Sequence, residues 1–75
     1  MNKKRRAELD RGVRYIMEGK QILQNVLDEE QDCFDNLSEG LQQTMRGESM
    51  ENNIGVIEDV IDSIQSAVDD LDNIE

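Results

Sequence analysis

Met50-Glu51-Asn52-Asn53-Ile54-Gly55-Val56-Ile57-Glu58-Asp59-Val60-Ile61-Asp62-Ser63-Ile64-Gln65-Ser66-Ala67-Val68-Asp69-Asp70-Leu71 is the stretch that decides the fold. Its residues Met50, Ile54, Ile57, Ile61, Ile64, Val68 and Leu71 recur at alternating steps of 4 and 3 without a break. That spacing lines one face of an α-helix; a strand, whose side chains alternate with a period of two, could not do the same. The same steps run upstream from Leu9 through Val13, Ile16, Lys20, Leu23, Leu27, Glu30 and Phe34 to Leu37, with Lys20 and Glu30 as polar occupants. The chain has no Pro, so nothing forces a kink inside either stripe. The expected class is all-α.

Between the stripes, Asn36-Leu37-Ser38-Glu39-Gly40-Leu41-Gln42-Gln43-Thr44-Met45-Arg46-Gly47 gathers two Gly with Ser, Asn and Thr, and the heptad phase is lost. Such a cluster reads as a connection. It is long enough to hold a short helical turn around Leu41 to Met45. The expected single domain, residues 1–75, then has helix 1 over about 4–36, a connection over about 37–47 and helix 2 over about 46–74. Two long helices with one connection make an antiparallel hairpin the natural arrangement. Charge favours it. Residues 1–20 hold seven bases and three acids, residues 21–47 one base and six acids, and residues 48–75 nine acids and no base. A basic helix start and an acidic helix end each oppose the macrodipole. An antiparallel pair would lay the basic start of helix 1 beside Asp69, Asp70, Asp72 and Glu75, so that each block offsets the other.

At 75 residues the chain's own core is marginal, because a domain of this size buries only about 60% of its unfolded surface. Neither a disulfide nor a structural zinc site can supply the difference, since Cys33 is alone and there is no His. Self-association remains. Tyr15, Ile22, Val26 and Cys33 flank the first stripe, and Val56, Val60, Ala67 and Ile74 flank the second. An arc this wide suits a bundle better than a lone pair of helices. The expectation is a homodimer of hairpins forming a coiled-coil-like four-helix bundle. Self-association falls to Leu9, Val13, Ile16, Leu23, Leu27, Phe34, Ile54, Ile57, Ile61, Ile64, Val68 and Leu71.

Several kinds of chemistry lack their parts. Catalysis would want a His base, a Gly-rich phosphate cradle or a nucleophile elbow, and none is present. Cys33 stands among acids that disfavour its thiolate. Asp35, Leu37, Glu39 and Gly40 imitate the opening of a calcium loop, but Leu37 occupies its third position and Arg46 its twelfth, where a bidentate Glu is needed. A di-iron bundle would require Glu-x-x-His. No catalytic, cofactor or metal site is therefore expected. Lys3-Lys4-Arg5-Arg6 with Arg11 and Arg14 could touch phosphates, but the acids that follow would repel a duplex, which disfavours direct nucleic-acid binding. No apolar run approaches the roughly 20 residues that span a bilayer, and no apolar segment follows the basic start as in a signal peptide. With one unpaired Cys, the expectation is a soluble cytoplasmic protein and no membrane partner.

Two contact surfaces remain. Leu37, Leu41 and Met45 are apolar residues in a Gly-punctuated connection and are the candidate contacts for a partner protein; their plainer role is to pack over the end of the bundle. Glu48, Glu51, Glu58, Asp59, Asp62, Asp69, Asp70 and Asp72 make helix 2 an acidic rod, which could occupy a basic groove built for DNA or RNA. Such faces also serve simply as solubility devices. Gly12 and Gly19, seven residues apart beside the first stripe, would let another helix come close or keep their helix marginal, and Gly55 adds a third such position.

The central residues Glu29-Glu30-Gln31-x-x-Phe34-Asp35-Asn36-Leu37-x-Glu39-x-Leu41-Gln42, followed by Gly47-Glu48-x-Met50-Glu51, resemble a family of small acidic helical proteins from phages, prophages and mobile elements of low-GC Gram-positive bacteria. The likeness covers about residues 4–75 and is most specific over 29–51; Ser38 stands where that pattern has Pro. The resemblance implies a bacterial host and a mobile genetic setting but no reaction. It favours an anti-defence or regulatory role, in which a small acidic protein binds and blocks a larger host protein.

Overall fold

The computed structural model describes residues 1–75 and contains helices only: α1 over Lys3–Asp35, α2 over Glu39–Gln42 and α3 over Met45–Asp72. Each helix begins on a polar side chain that satisfies a backbone N–H left over in the first turn. Asn2 Oδ1 accepts from Arg5 N–H at 2.8 Å, Ser38 Oγ from Leu41 N–H at 3.4 Å and Thr44 Oγ1 from Gly47 N–H at 3.3 Å.

α1 and α3 lie alongside each other and run in opposite directions. Leu27 of α1 clusters with Ile54 and Ile61 of α3, and Leu23, Phe34 and Ile57 pack against this core. Farther toward the chain ends, Lys20 donates to Gln65 Oε1, and Arg6 Nη1 donates to Ile74 O at 2.9 Å. The stripe positions thus face inward within one chain. Leu27, Ile54, Ile61 and Val68 are buried, and the other stripe residues are half-buried except Ile16, which is exposed. No large side chain is fully enclosed. The molecule is a rod, 58 × 15 × 13 Å, with a radius of gyration of 17.2 Å. A compact chain of this length would have about 11 Å.

The connection turns without any residue at positive φ. Asn36, in right-handed conformation, closes α1 by donating its N–H to Asp32 O. Gln42 then reaches back, its Nε2 donating to Phe34 O at 3.1 Å and to Leu37 O at 3.2 Å. Phe34 O, which also accepts from Leu37 N–H at 3.1 Å, and Leu37 O just beyond α1 therefore share one side-chain donor. Gly47 is buried where α3 passes close over α2. A Cβ there would stand 2.6 Å from the carbonyl carbon of Gln42, inside any tolerable contact.

Two expectations need correction. The short helical turn lies over Glu39–Gln42 and not around Leu41 to Met45, because Ser38 caps it and Thr44 starts the next helix, which makes Met45 the first residue of α3. The two opposed charge blocks share one end of the rod, where the Met1 ammonium donates to Glu75 O at 3.4 Å and no side-chain ion pair joins the helices. Arg11 with Glu8, one turn apart in α1, is the one pair within 4 Å, at 3.3 Å. Arg6 instead bonds a backbone carbonyl beyond the end of α3, where the partial negative charge of the helix terminus gathers. Finally, Gly12, Gly19 and Gly55 admit no close helix within the chain, since a Cβ at each would meet nothing within 4 Å.

Candidate interaction surfaces

No three acidic or cysteine side chains converge where they could hold a metal ion, and no helix is long and apolar enough to cross a membrane. What the rod offers is three distinct surfaces.

The first is the connection tip. Ser38, Gln42, Thr44 and Gly47 fix its backbone through the bonds and close approach described above, so its outward side chains stand on a defined frame. Met45 is 85% exposed and Leu41 54% exposed, while Leu37 is half-buried at the end of α1. The three residues expected to act together are therefore divided: Leu37 packs and the other two project.

The second surface is acidic. Glu48, Glu51, Glu58, Asp59, Asp62, Asp69, Asp70 and Asp72 are all exposed, and none has a basic side chain within 4 Å. Glu58, Asp62, Asp69 and Asp72 fall on the sides of α3 away from the line Val56–Val60, whereas Glu48, Glu51 and Asp59 border a shallow depression together with Val56. Gly55 leaves a dip in this surface, rimmed by Glu51 and Glu58 and floored by Phe34 and Ile54. Asp69 is the one tied inward, accepting from Gln65 Nε2 at 2.9 Å while Gln65 accepts from Lys20. This Lys20–Gln65–Asp69 relay between the helices escapes sequence reading, because it depends on the register of α1 against α3.

The third surface is apolar and runs along the rod. Tyr15, Ile22 and Val26 of α1 and Val56 and Val60 of α3 are exposed. Val26 and Val56 border one shallow groove together with Glu30, Asn53 and Ile57, which places the flanks of both helices on the same broad face. The Arg11 guanidinium lies 5.6 Å from the centre of the Tyr15 ring and closes the face at one end. Cys33 is a free, exposed thiol near the other. The residues assigned to self-association from the stripes are mostly engaged inside the chain, whereas the flanking residues are the ones left uncovered.

No family model matches the chain, and no curated protein and no solved structure is significantly similar to it.

Proposed function

We propose that this chain is a non-enzymatic protein-interaction module: a helical hairpin, paired with a second copy in a four-helix bundle, that regulates or blocks a larger host protein by binding it. The setting belongs to the same proposal: a phage or mobile element acting in the cytoplasm of a Gram-positive bacterium, for which the likeness of residues 29–51 is the support. The observation that carries the reading is the tip. Two apolar side chains, Leu41 and Met45, project from a backbone held by side-chain caps, and exposed apolar residues on a fixed frame suit docking into a partner's pocket. The test is a pull-down from nuclease-treated Gram-positive host lysate, washed at low and high salt, with the native chain and with Leu41→Glu/Met45→Glu. A protein retained at high salt by the native chain and lost by the variant supports the module. A protein retained equally by both overturns the assignment of the tip.

A second reading has its own observation. None of the eight carboxylates named on α3 has a base within 4 Å, so their field is not neutralised locally. A partner with a basic groove for DNA or RNA could accept this surface as a nucleic-acid mimic. Its signature is steep salt dependence, because ions screen such attraction beyond about 8 Å at physiological strength. Asp59→Lys/Asp62→Lys would then abolish capture at low salt, whereas tip docking would be unaffected.

A further inference from the structure

Glycine inside a helix lowers its propensity to form, and Gly12, Gly19 and Gly55 each leave open space where a Cβ would stand. Of the three, Gly55 alone lines a depression. Its missing side chain opens a dip between α3 and α1 with an apolar floor, half-buried Phe34 of α1 and buried Ile54 of α3. Gln31 walls the α1 side; its Nε2 donates to Asp35 Oδ1 at 2.9 Å, which leaves its amide oxygen free to accept. The α3 side is acidic. Glu51 and Glu58 rim the dip, and Glu48 and Asp59 join Glu51 around a second depression that also reaches Gly55. None of these four carboxylates has a base within 4 Å. Seven of the chain's eight bases lie between Lys3 and Lys20, toward the chain ends. The eighth, Arg46, stands nine residues before Gly55, which places it on the opposite side of α3.

We infer that this dip receives an arginine side chain carried by a partner protein. The inference rests on the proposal above that the chain acts by binding another protein, and names the side chain that such a partner brings to α3. An apolar floor suits the methylene stem of the incoming residue, and Phe34 offers an aromatic ring to its charged head. Charge complementarity requires that head to be cationic. Spacing favours arginine over lysine. Glu51 and Glu58 are seven residues apart, about 10 Å along the helix. A guanidinium donates from more than one edge and can meet both carboxylates, whereas an ammonium is a point charge that meets one. The dip also adjoins the tip. Glu48 and Asn52 border both the depression at Gly55 and another beside Met45. A partner seated on Met45 therefore lies about 15 Å along α3 from Gly55, with a continuous recessed surface between them.

Amide NMR of the full chain, titrated with N-acetyl-arginine amide and separately with N-acetyl-lysine amide, tests the dip. The expected result is saturable shifts at the amides of residues 31–34 and 51–59. Lysine should bind about threefold more weakly, the worth of one exposed ion pair. Gly55→Met fills the dip, keeps every charge and raises helix propensity, so it should fold and lose the binding. Glu51→Gln/Glu58→Gln should lose it as well. Asp62→Asn/Asp70→Asn removes the same charge from elsewhere on α3 and should retain it; circular dichroism confirms the helices of each variant. Shifts that do not saturate, or arginine and lysine bound alike, overturn the inference. So does binding that survives Gly55→Met or is lost equally in Asp62→Asn/Asp70→Asn, because the general acidity of α3 would then be all that draws the cation. Salt-resistant capture of a host protein that is unchanged by Gly55→Met would defeat this inference and leave the interaction module standing. Saturable, arginine-selective binding with no capture would support the dip and defeat the module.

Discussion

The half of the rod beside the connection and the half beside the chain ends are packed to different degrees. Next to the connection the contacts are apolar: Leu27, Ile54 and Ile61 form the core, with Leu23, Phe34 and Ile57 around it. Toward the ends, Val68 is buried at 4% exposure but stands outside that cluster, Leu9, Val13, Ile64 and Leu71 are only half-buried, and polar ties between the helices are added to them. Lys20 meets Gln65, and Arg6 meets a carbonyl. Apolar burial gives about 25 cal/mol per Å², whereas a typical hydrogen bond contributes only about 1 kcal/mol net. The end carrying both termini should therefore open first, and the connection end should set global stability.

The largest expected effect separates the two halves directly. Ile61→Ala removes a buried side chain from the cluster and should cost about 2–4 kcal/mol. Leu9→Ala, at a half-buried position near the start of α1, should cost about 1 kcal/mol. Urea midpoints at one fixed protein concentration would show the difference. Equal losses would break the comparison, because both halves would then be equally packed.

The glycines sharpen it with opposite signs. Gly47→Ala drives a methyl into the backbone of Gln42 and should destabilise by about 1–3 kcal/mol, as overpacking does elsewhere. Gly12→Ala meets open space, gains helix propensity and should stabilise the helix by up to about 1 kcal/mol. Thermal unfolding of the two variants should move the midpoint in opposite directions. A loss for Gly12→Ala would mean that something outside the chain packs against that position.

The all-helical class is legible in the sequence because steps of 4 and 3 fit only a helix, and the connection is legible because Gly, Ser, Asn and Thr interrupt those steps. The placement of α2 could also have been read, since Ser38 and Thr44 are good N-cap residues and divide the connection at the two helix starts observed. Three features are not legible, for one reason. The need for Gly47, the reach of Gln42 to Phe34 O and Leu37 O, and the Lys20–Gln65–Asp69 relay all depend on how distant segments sit against one another. Periodicity fixes which side of a helix faces inward. It does not fix the register of one helix against the next. For the same reason, summed charge placed the basic and acidic blocks at one end but did not foretell that their closest ties there would be Arg6 to Ile74 O and Met1 to Glu75 O.

Thr44→Ala is the next effect in size. It removes the oxygen that accepts from Gly47 N–H and should cost about 1 kcal/mol. Asn2→Ala removes the corresponding cap from α1, which accepts from Arg5 N–H. If the chain-end half opens before the rest, the loss at Asn2 should scarcely appear in the global unfolding midpoint and should appear as faster amide exchange in the first turns of α1. An equal shift of the global midpoint by both cap deletions would show that the rod unfolds as one unit from end to end.

The smallest effects test the charges themselves. Glu48 lies in the first turn of α3, where a negative charge agrees with the macrodipole, so Glu48→Gln should cost about 0.3–0.5 kcal/mol at low salt. Asp72 is the last residue of α3, where its charge opposes the dipole but shares the rod's end with the basic start of α1. Removing that charge relieves one interaction and forfeits the other. With no base within 4 Å of Asp72, neither should dominate, and Asp72→Asn should leave the unfolding midpoint nearly unchanged at low and high salt alike. A loss as large as that for Glu48→Gln, vanishing in salt, would mean that the basic block holds the acidic tail across the helices in solution, and that the end with both termini is fastened by charge after all.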